Sequence, residues 1–204
     1  MERAASGAGH SVTRAAEPSR DVLPFDWALE TARCVGIVAH RFLAQFGRDG
    51  LASWNDARLA ASLPRIRTEL ADEGVDQAEL DLAAKDVHRA LVNVLTDERG
   101  RWLFAPGHAE AASEWALAGI DDGAVAHVVL DRSFVADGVR WIVDFKTGGH
   151  EGADVETFLD REKERYRDQL HRYARFVSSL DSRPIRLGLY HPLLRGWREW
   201  PFER

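Results

Sequence analysis

The segment RWIVDFKTGG, residues 140–149, carries an apolar strand-like run that ends on Asp144, Phe145 and Lys146. An ammonium two residues beyond a carboxylate serves either as an ion pair or as part of a metal-dependent hydrolytic site. A second carboxylate bears on the choice. Asp137-Gly138 sits between two β-rich runs and is a strong two-residue hairpin signal. With that loop, Ala136 faces Val139, Val135 faces Arg140 and Phe134 faces Trp141, and the ladder continued brings Asp131 opposite Asp144. Alternation puts Lys146 on the same face as Asp144, and Val128, Leu130, Phe134, Trp141, Val143 and Phe145 on the other, interrupted by Arg132. Facing carboxylates repel, and a shared proton, an arginine or a cation must offset them. Mg²⁺ and Mn²⁺ suit carboxylates plus water and phosphate oxygens, so the cluster fits metal-assisted phosphodiester hydrolysis. A chance Asp-x-Lys ion pair is the competing reading.

The elements that position these residues follow from periodicity. Residues 25–47 have helical spacing, with Trp27, Val35, Val38, Phe42 and Phe46 on one face and Gly47 and Gly50 as stop signals. A second helical stretch covers 55–72 and breaks or restarts at Pro64. A third covers 76–97, with Asp76 as N-cap and Glu79 completing a capping box. Three strands follow, in SEWALAG, AVAHVVLDRSFV and VRWIVDFKT. A helix over 158–180 comes next, then strands in PIRLGLYHP and GWREWPF. The order implies a mixed sheet packed on helices, an α/β or α+β domain with a helical N-terminal half.

Composition bounds the rest. The chain has 204 residues, 45% hydrophobic and 29% charged, with formal net charge −6. Such acidity argues against non-specific coating of nucleic acid, though not against a local grip. One cysteine, Cys34, excludes a disulfide framework and a cysteine-rich zinc or iron–sulfur site, and fits a reducing cytoplasm. No apolar run approaches a bilayer-spanning length. Residues 1–20, rich in Ala, Ser, Gly and charge, are expected to form a flexible tail or linker, leaving 21–204 as the folded domain.

Three stretches resemble the RecB-family nucleases of the PD-(D/E)XK superfamily. VGIVAHRFL (35–43) is similar to the family's Gly-x-x-x-His-Arg-x-Leu helix. VVLDRSFVADGVRWIVDFKTG (128–148) resembles the motif in which a strand aspartate precedes an Asp-Tyr-Lys-Thr-like strand end. YRDQLHRYA (166–174) resembles the Gln-x-x-x-Tyr helix. FDWALETARCVG also resembles the entry into the nuclease domain at the C-terminus of UvrD-like helicases.

The resemblance implies a restriction-endonuclease-like fold and a Mg²⁺- or Mn²⁺-dependent DNA exonuclease acting in repair or recombination beside a UvrD-like helicase. It makes His40, Asp131, Asp144 and the Phe145 carbonyl metal ligands. Lys146 orients the attacking water and stabilises the phosphate. Gln169 and Tyr173, on one face of a helix, contact DNA or order the site. Glu114 in the first strand is a further candidate ligand, with a surface ion pair as its alternative. His88 is a rival to His40, while His127 and His171 are expected to be local structure. Arg161, Arg165, Arg167, Arg172 and Arg175 offer a basic helix face for phosphates, or a solvated one. Phe145 stands where the family has tyrosine more often, and Val129-Leu130 where it often has glycine and isoleucine. A catalytically silent DNA-binding or scaffold module is the alternative function.

Overall fold

The computed structural model describes residues 24–121, 123–149, 152 and 154–203, with side chains from Leu29 onward. The expected tail over 1–20 lies outside the described residues, and the expected packing face of Trp27 rests on a side chain that is not described. The chain enters through α1 (Pro24–Asp49). A 3₁₀ turn, Leu51–Ser53, follows, then α2 (Asp56–Ala61), α3 (Leu63–Asp72), α4 (Leu80–Thr96) and α5 (Glu98–Leu103). Next come β1 (Ala109–Asp121), β2 (Ala124–Ala136), β3 (Val139–Phe145), α6 (Val155–Ser178), β4 (Ile185–His191) and β5 (Gly196–Pro201).

The strands form one mixed sheet in the order β1-β2-β3-β4-β5. β3 and β4 are parallel, joined through α6, and the other neighbours are antiparallel. Helices α1 to α5 cover one face. There Val35, Val38, Phe42 and Phe46 of α1 join Phe134, Trp141, Val143, Phe145 and Tyr190 of the sheet. Helix α6 covers the other face, where Leu170, Ala174 and Val177 meet Ile142, Leu187 and Leu189. Burying each of the Val, Leu, Ile and Phe side chains among them contributes about 1.5–3 kcal/mol, so these two cores hold the helices to the sheet that carries Asp144.

Two local expectations change. Helix α4 starts at Leu80, and no capping box forms. The Asp76 carboxylate instead accepts from the Ala78 amide, and Glu79 accepts from the Thr31 hydroxyl of α1. The long-range bond to α1 wins over the local reciprocal cap. The stretch 55–72 divides at Ser62 into two helices, with Pro64 in the first turn of the second, where its missing N–H costs nothing.

The β2–β3 hairpin forms as the dipeptide predicts. Asp137 and Gly138 both have positive φ, 52° and 75°, as a type I′ turn requires. Pairing runs from Ala136–Val139 to Arg132–Val143 and stops one step short of Asp131–Asp144. There the Asp131 carboxylate, rather than a β2 carbonyl, accepts the Phe145 amide at 2.7 Å. The hairpin therefore opens at this level. Val128 and Leu130, expected on the face of Phe134, pack instead with Ile142 in the α6-side core. Beyond the opening β2 is paired to β1 alone and twists independently of β3.

Candidate metal and phosphate site

The site lies where the hairpin opens. Helix α1 reaches it from one face of the sheet and α6 from the other. Close approach of α1 depends on Gly36, one turn before His40. A Cβ at Gly36 would meet the Thr147 hydroxyl, just beyond β3, at 2.9 Å. His40 thus reaches the strand end. Its Nε2 lies 2.9 Å from the Phe145 carbonyl, and its Nδ1 lies 3.5 Å from Asp131 Oδ1. The second distance is an ion-pair separation rather than a formed hydrogen bond. The Phe145 carbonyl, expected as a metal ligand, receives His40 in this structure.

β1 supplies the third group. Glu114 lies between Ser113, paired with Arg132, and Trp115, paired with Leu130, so it stands level with Asp131. Its φ is 50°, a left-handed conformation that is costly for a residue with a Cβ inside a strand. One ligand atom each from His40, Glu114 and Asp131 lies within 4.8 Å of the others.

Asp144 is not in that trio. It is buried, 2.7 Å from Lys146 Nζ, and its Oδ1 accepts from Gln169 Nε2 at 3.1 Å. Gln169 Nε2 also donates to the Tyr173 hydroxyl at 2.7 Å. Gln169 and Tyr173 thus order Asp144 from α6. Lys146 lies 4.0 Å from the centre of the Tyr166 ring, also on α6. Its ammonium is the ionic partner of the buried Asp144 Oδ2.

The acidities show how crowded the charges are. Burial and the Asp131 carboxylate push Asp144 up to about 7, against the pull of Lys146 and His40. Burial would lower His40, but Asp131, Asp144 and the Phe145 carbonyl outweigh it and raise the imidazolium to about 9. Glu114 is raised by desolvation and then by Asp131. Burial would lower Lys146, but Asp144 outweighs it and raises the ammonium. The two carboxylates with raised pKa, Asp144 and Glu114, with Asp131 and an imidazole beside them, form a donor set that suits a hard divalent cation such as Mg²⁺ or Mn²⁺.

A cleft of about 880 Å³ is lined by His40 and Glu114 of the trio, by Lys146, and by Arg33, Arg41, Arg48, Arg65 and Arg165. Of the α6 arginines expected to grip phosphates, Arg165 alone lines it, while Arg167 pairs with Glu164 and Arg172 and Arg175 with Asp121. The basic wall comes mainly from α1 and α3. Arg33, Gly36, His40, Ala44 and Arg48 recur at helical spacing on α1, and that row was the available signal. His88, on α4, stands outside the trio. His127 is exposed, and His171 Nε2 accepts from Trp200 Nε1 at 3.2 Å.

A scan against models of known protein families finds no match, and no curated protein matches the chain. Among the described residues, no helix is long and apolar enough to cross a membrane.

Proposed function

We propose that this protein is a Mg²⁺- or Mn²⁺-dependent deoxyribonuclease, with a restriction-endonuclease-like domain similar to those of RecB-family nucleases. It would serve as an exonuclease module beside a UvrD-like helicase in cytoplasmic DNA repair or recombination. The observation that carries the reading is the convergence of His40, Glu114 and Asp131 within 4.8 Å, with His40 and Glu114 lining a basic cleft. A chance Asp-x-Lys ion pair explains neither the histidine from α1 nor the left-handed Glu114.

In this reading His40, Glu114 and Asp131 would hold the cation, and Asp144, which pairs with Lys146, would be a further donor. A divalent cation there would acidify a bound water and polarise a phosphate oxygen. Lys146, held between Asp144 and the Tyr166 ring, keeps its ammonium charged and can orient the water or stabilise phosphate charge. Gln169 and Tyr173 fix Asp144. The cleft arginines hold the strand.

The test is nucleotide release from linear single- and double-stranded DNA with Mg²⁺ or Mn²⁺, beside an EDTA control and Asp144→Ala. Metal-dependent cutting that disappears in the variant is expected. The specific observation favouring a silent binding module is that Asp144 faces Lys146 and Gln169 rather than the trio. Mn²⁺ binding with no cutting of any DNA would select that reading.

A further inference from the structure

A second cleft, of about 690 Å³, lies beyond the C-terminal end of α1 and shares Arg48 with the first. Its walls carry Arg48, Arg101 and Arg132, and its one carboxylate lining residue, Asp49, is already bound by Arg58. The three arginines differ from their neighbours. Arg33, Arg41, Arg65 and Arg165 each pair with a glutamate. Among the described residues, no carboxylate lies within ion-pairing distance of Arg48, Arg101 or Arg132.

Arg132 is the least expected of them, because it is 4% exposed. Its Nε donates to the Leu103 carbonyl at 3.1 Å, and one terminal nitrogen donates to the Ser113 hydroxyl at 3.1 Å. Those bonds use part of a five-donor fork and leave its charge unbalanced. The Leu103 carbonyl ends α5, so the guanidinium also satisfies a helix terminus. That role does not call for Arg48, nor for Arg101, which donates to the Thr96 carbonyl at 3.2 Å, on the same walls. Gly47 makes the arrangement possible, since a Cβ there would collide with the Ser113 hydroxyl and meet an Arg132 nitrogen at 3.0 Å.

We infer that this second cleft is a phosphate subsite for a single-stranded DNA segment whose scissile phosphate lies at the His40–Glu114–Asp131 trio. The inference rests on the nuclease reading and extends it. Arg48 stands two turns beyond His40 on the same helix face, about 12 Å along the axis at ~1.5 Å per residue. A strand of a few nucleotides spans that distance. Phosphates upstream or downstream of the cut then meet three cations that have no internal carboxylate to leave.

The test uses the full chain in EDTA, so that cutting is not involved. A fluorescent single-stranded DNA oligonucleotide is titrated by anisotropy across a salt series. The probe meets wild type, the exposed double variant Arg48→Ala/Arg101→Ala, and Arg89→Ala on α4 as control. The double variant is expected to bind about fivefold to tenfold more weakly, with the log–log salt slope reduced by about 0.7 for each phosphate that the protein no longer neutralises. The control is expected to match wild type. Unchanged affinity and slope in the double variant, with wild type still binding, overturn this inference alone. Failure of wild type to bind DNA overturns the nuclease reading and the inference with it. A parallel titration with inorganic phosphate separates a free-anion site: saturable phosphate binding that does not compete with the strand overturns the subsite.

Discussion

Asp144→Asn is expected to make the metal-free protein more stable at alkaline pH while it removes activity. The reason is the raised carboxyl. A group moved from 3.8 to about 7 prefers to be neutral in the fold. At about 1.4 kcal/mol per pH unit, the ionised form costs the folded state about 4 kcal/mol. The sign follows from proton counting. Between the two pKa values the folded chain binds a proton that the unfolded chain has released, so stability falls as pH climbs from about 4 through 7. At pH 5 about a third of the penalty is already present, and by pH 8.5 all of it is, a difference of about 3 kcal/mol. Asparagine keeps the shape and the Gln169 contact and has nothing to titrate. Lys146 loses its partner, but it stays charged across this range and that loss is nearly constant. Asp144 also helps to raise His40, so the variant's imidazolium is raised less and loses less stability above pH 6.5, a change in the same direction. Urea unfolding in EDTA at pH 5 and pH 8.5 measures the difference. With m of about 2 kcal/mol/M, the midpoint of the variant relative to wild type should rise by about 1–2 M between the two pH values. An equal offset at both would refute the claim that Asp144 is held against its charge by burial and Asp131.

Divalent cation should reverse this penalty. Mn²⁺ at a hundredfold its dissociation constant is expected to stabilise wild type by about 2.7 kcal/mol, and thermal melts of Asp131→Ala should show no such gain. Gly36→Leu is expected to drive α1 away from Thr147 and weaken Mn²⁺ binding by about tenfold or more, measured calorimetrically, since an overpacked contact costs ~1–3 kcal/mol. Gly36→Ala, which meets only a rotatable hydroxyl, should retain most binding. At the opposite end of the sheet, Arg140 is 3% exposed and pairs with Glu110 and Asp181. Arg140→Ala should lower stability in chemical denaturation, because it removes the buried partner of Asp181, which then keeps Arg183.

Much of this arrangement is legible locally. The order of helices and strands follows from hydrophobic period, and the hairpin follows from Asp137-Gly138, whose backbone angles few other dipeptides accept. Counting the register brings Asp131 to within one step of facing Asp144, although the ladder itself ends at Arg132–Val143. His40 falls on the α1 face that carries Gly36, and the glycine is what lets that face reach β3. These are short-range constraints of period, sterics and turn geometry, and the sequence carries them residue by residue. The tertiary structure decides the remainder. Glu114 joins the site because β1 takes a left-handed step opposite Asp131, a strain that only the surrounding sheet can impose. Asp144 turns to Lys146 and Gln169 because α6 lies over that face. Leu130 changes cores because β2 leaves β3 once Asp131 takes the Phe145 amide. The basic wall assembles from α1 and α3, since most of the α6 arginines are engaged with carboxylates elsewhere. Each outcome is set by which of several partners, distant in sequence, satisfies a charge or an amide first, and that competition is resolved only when the layers pack.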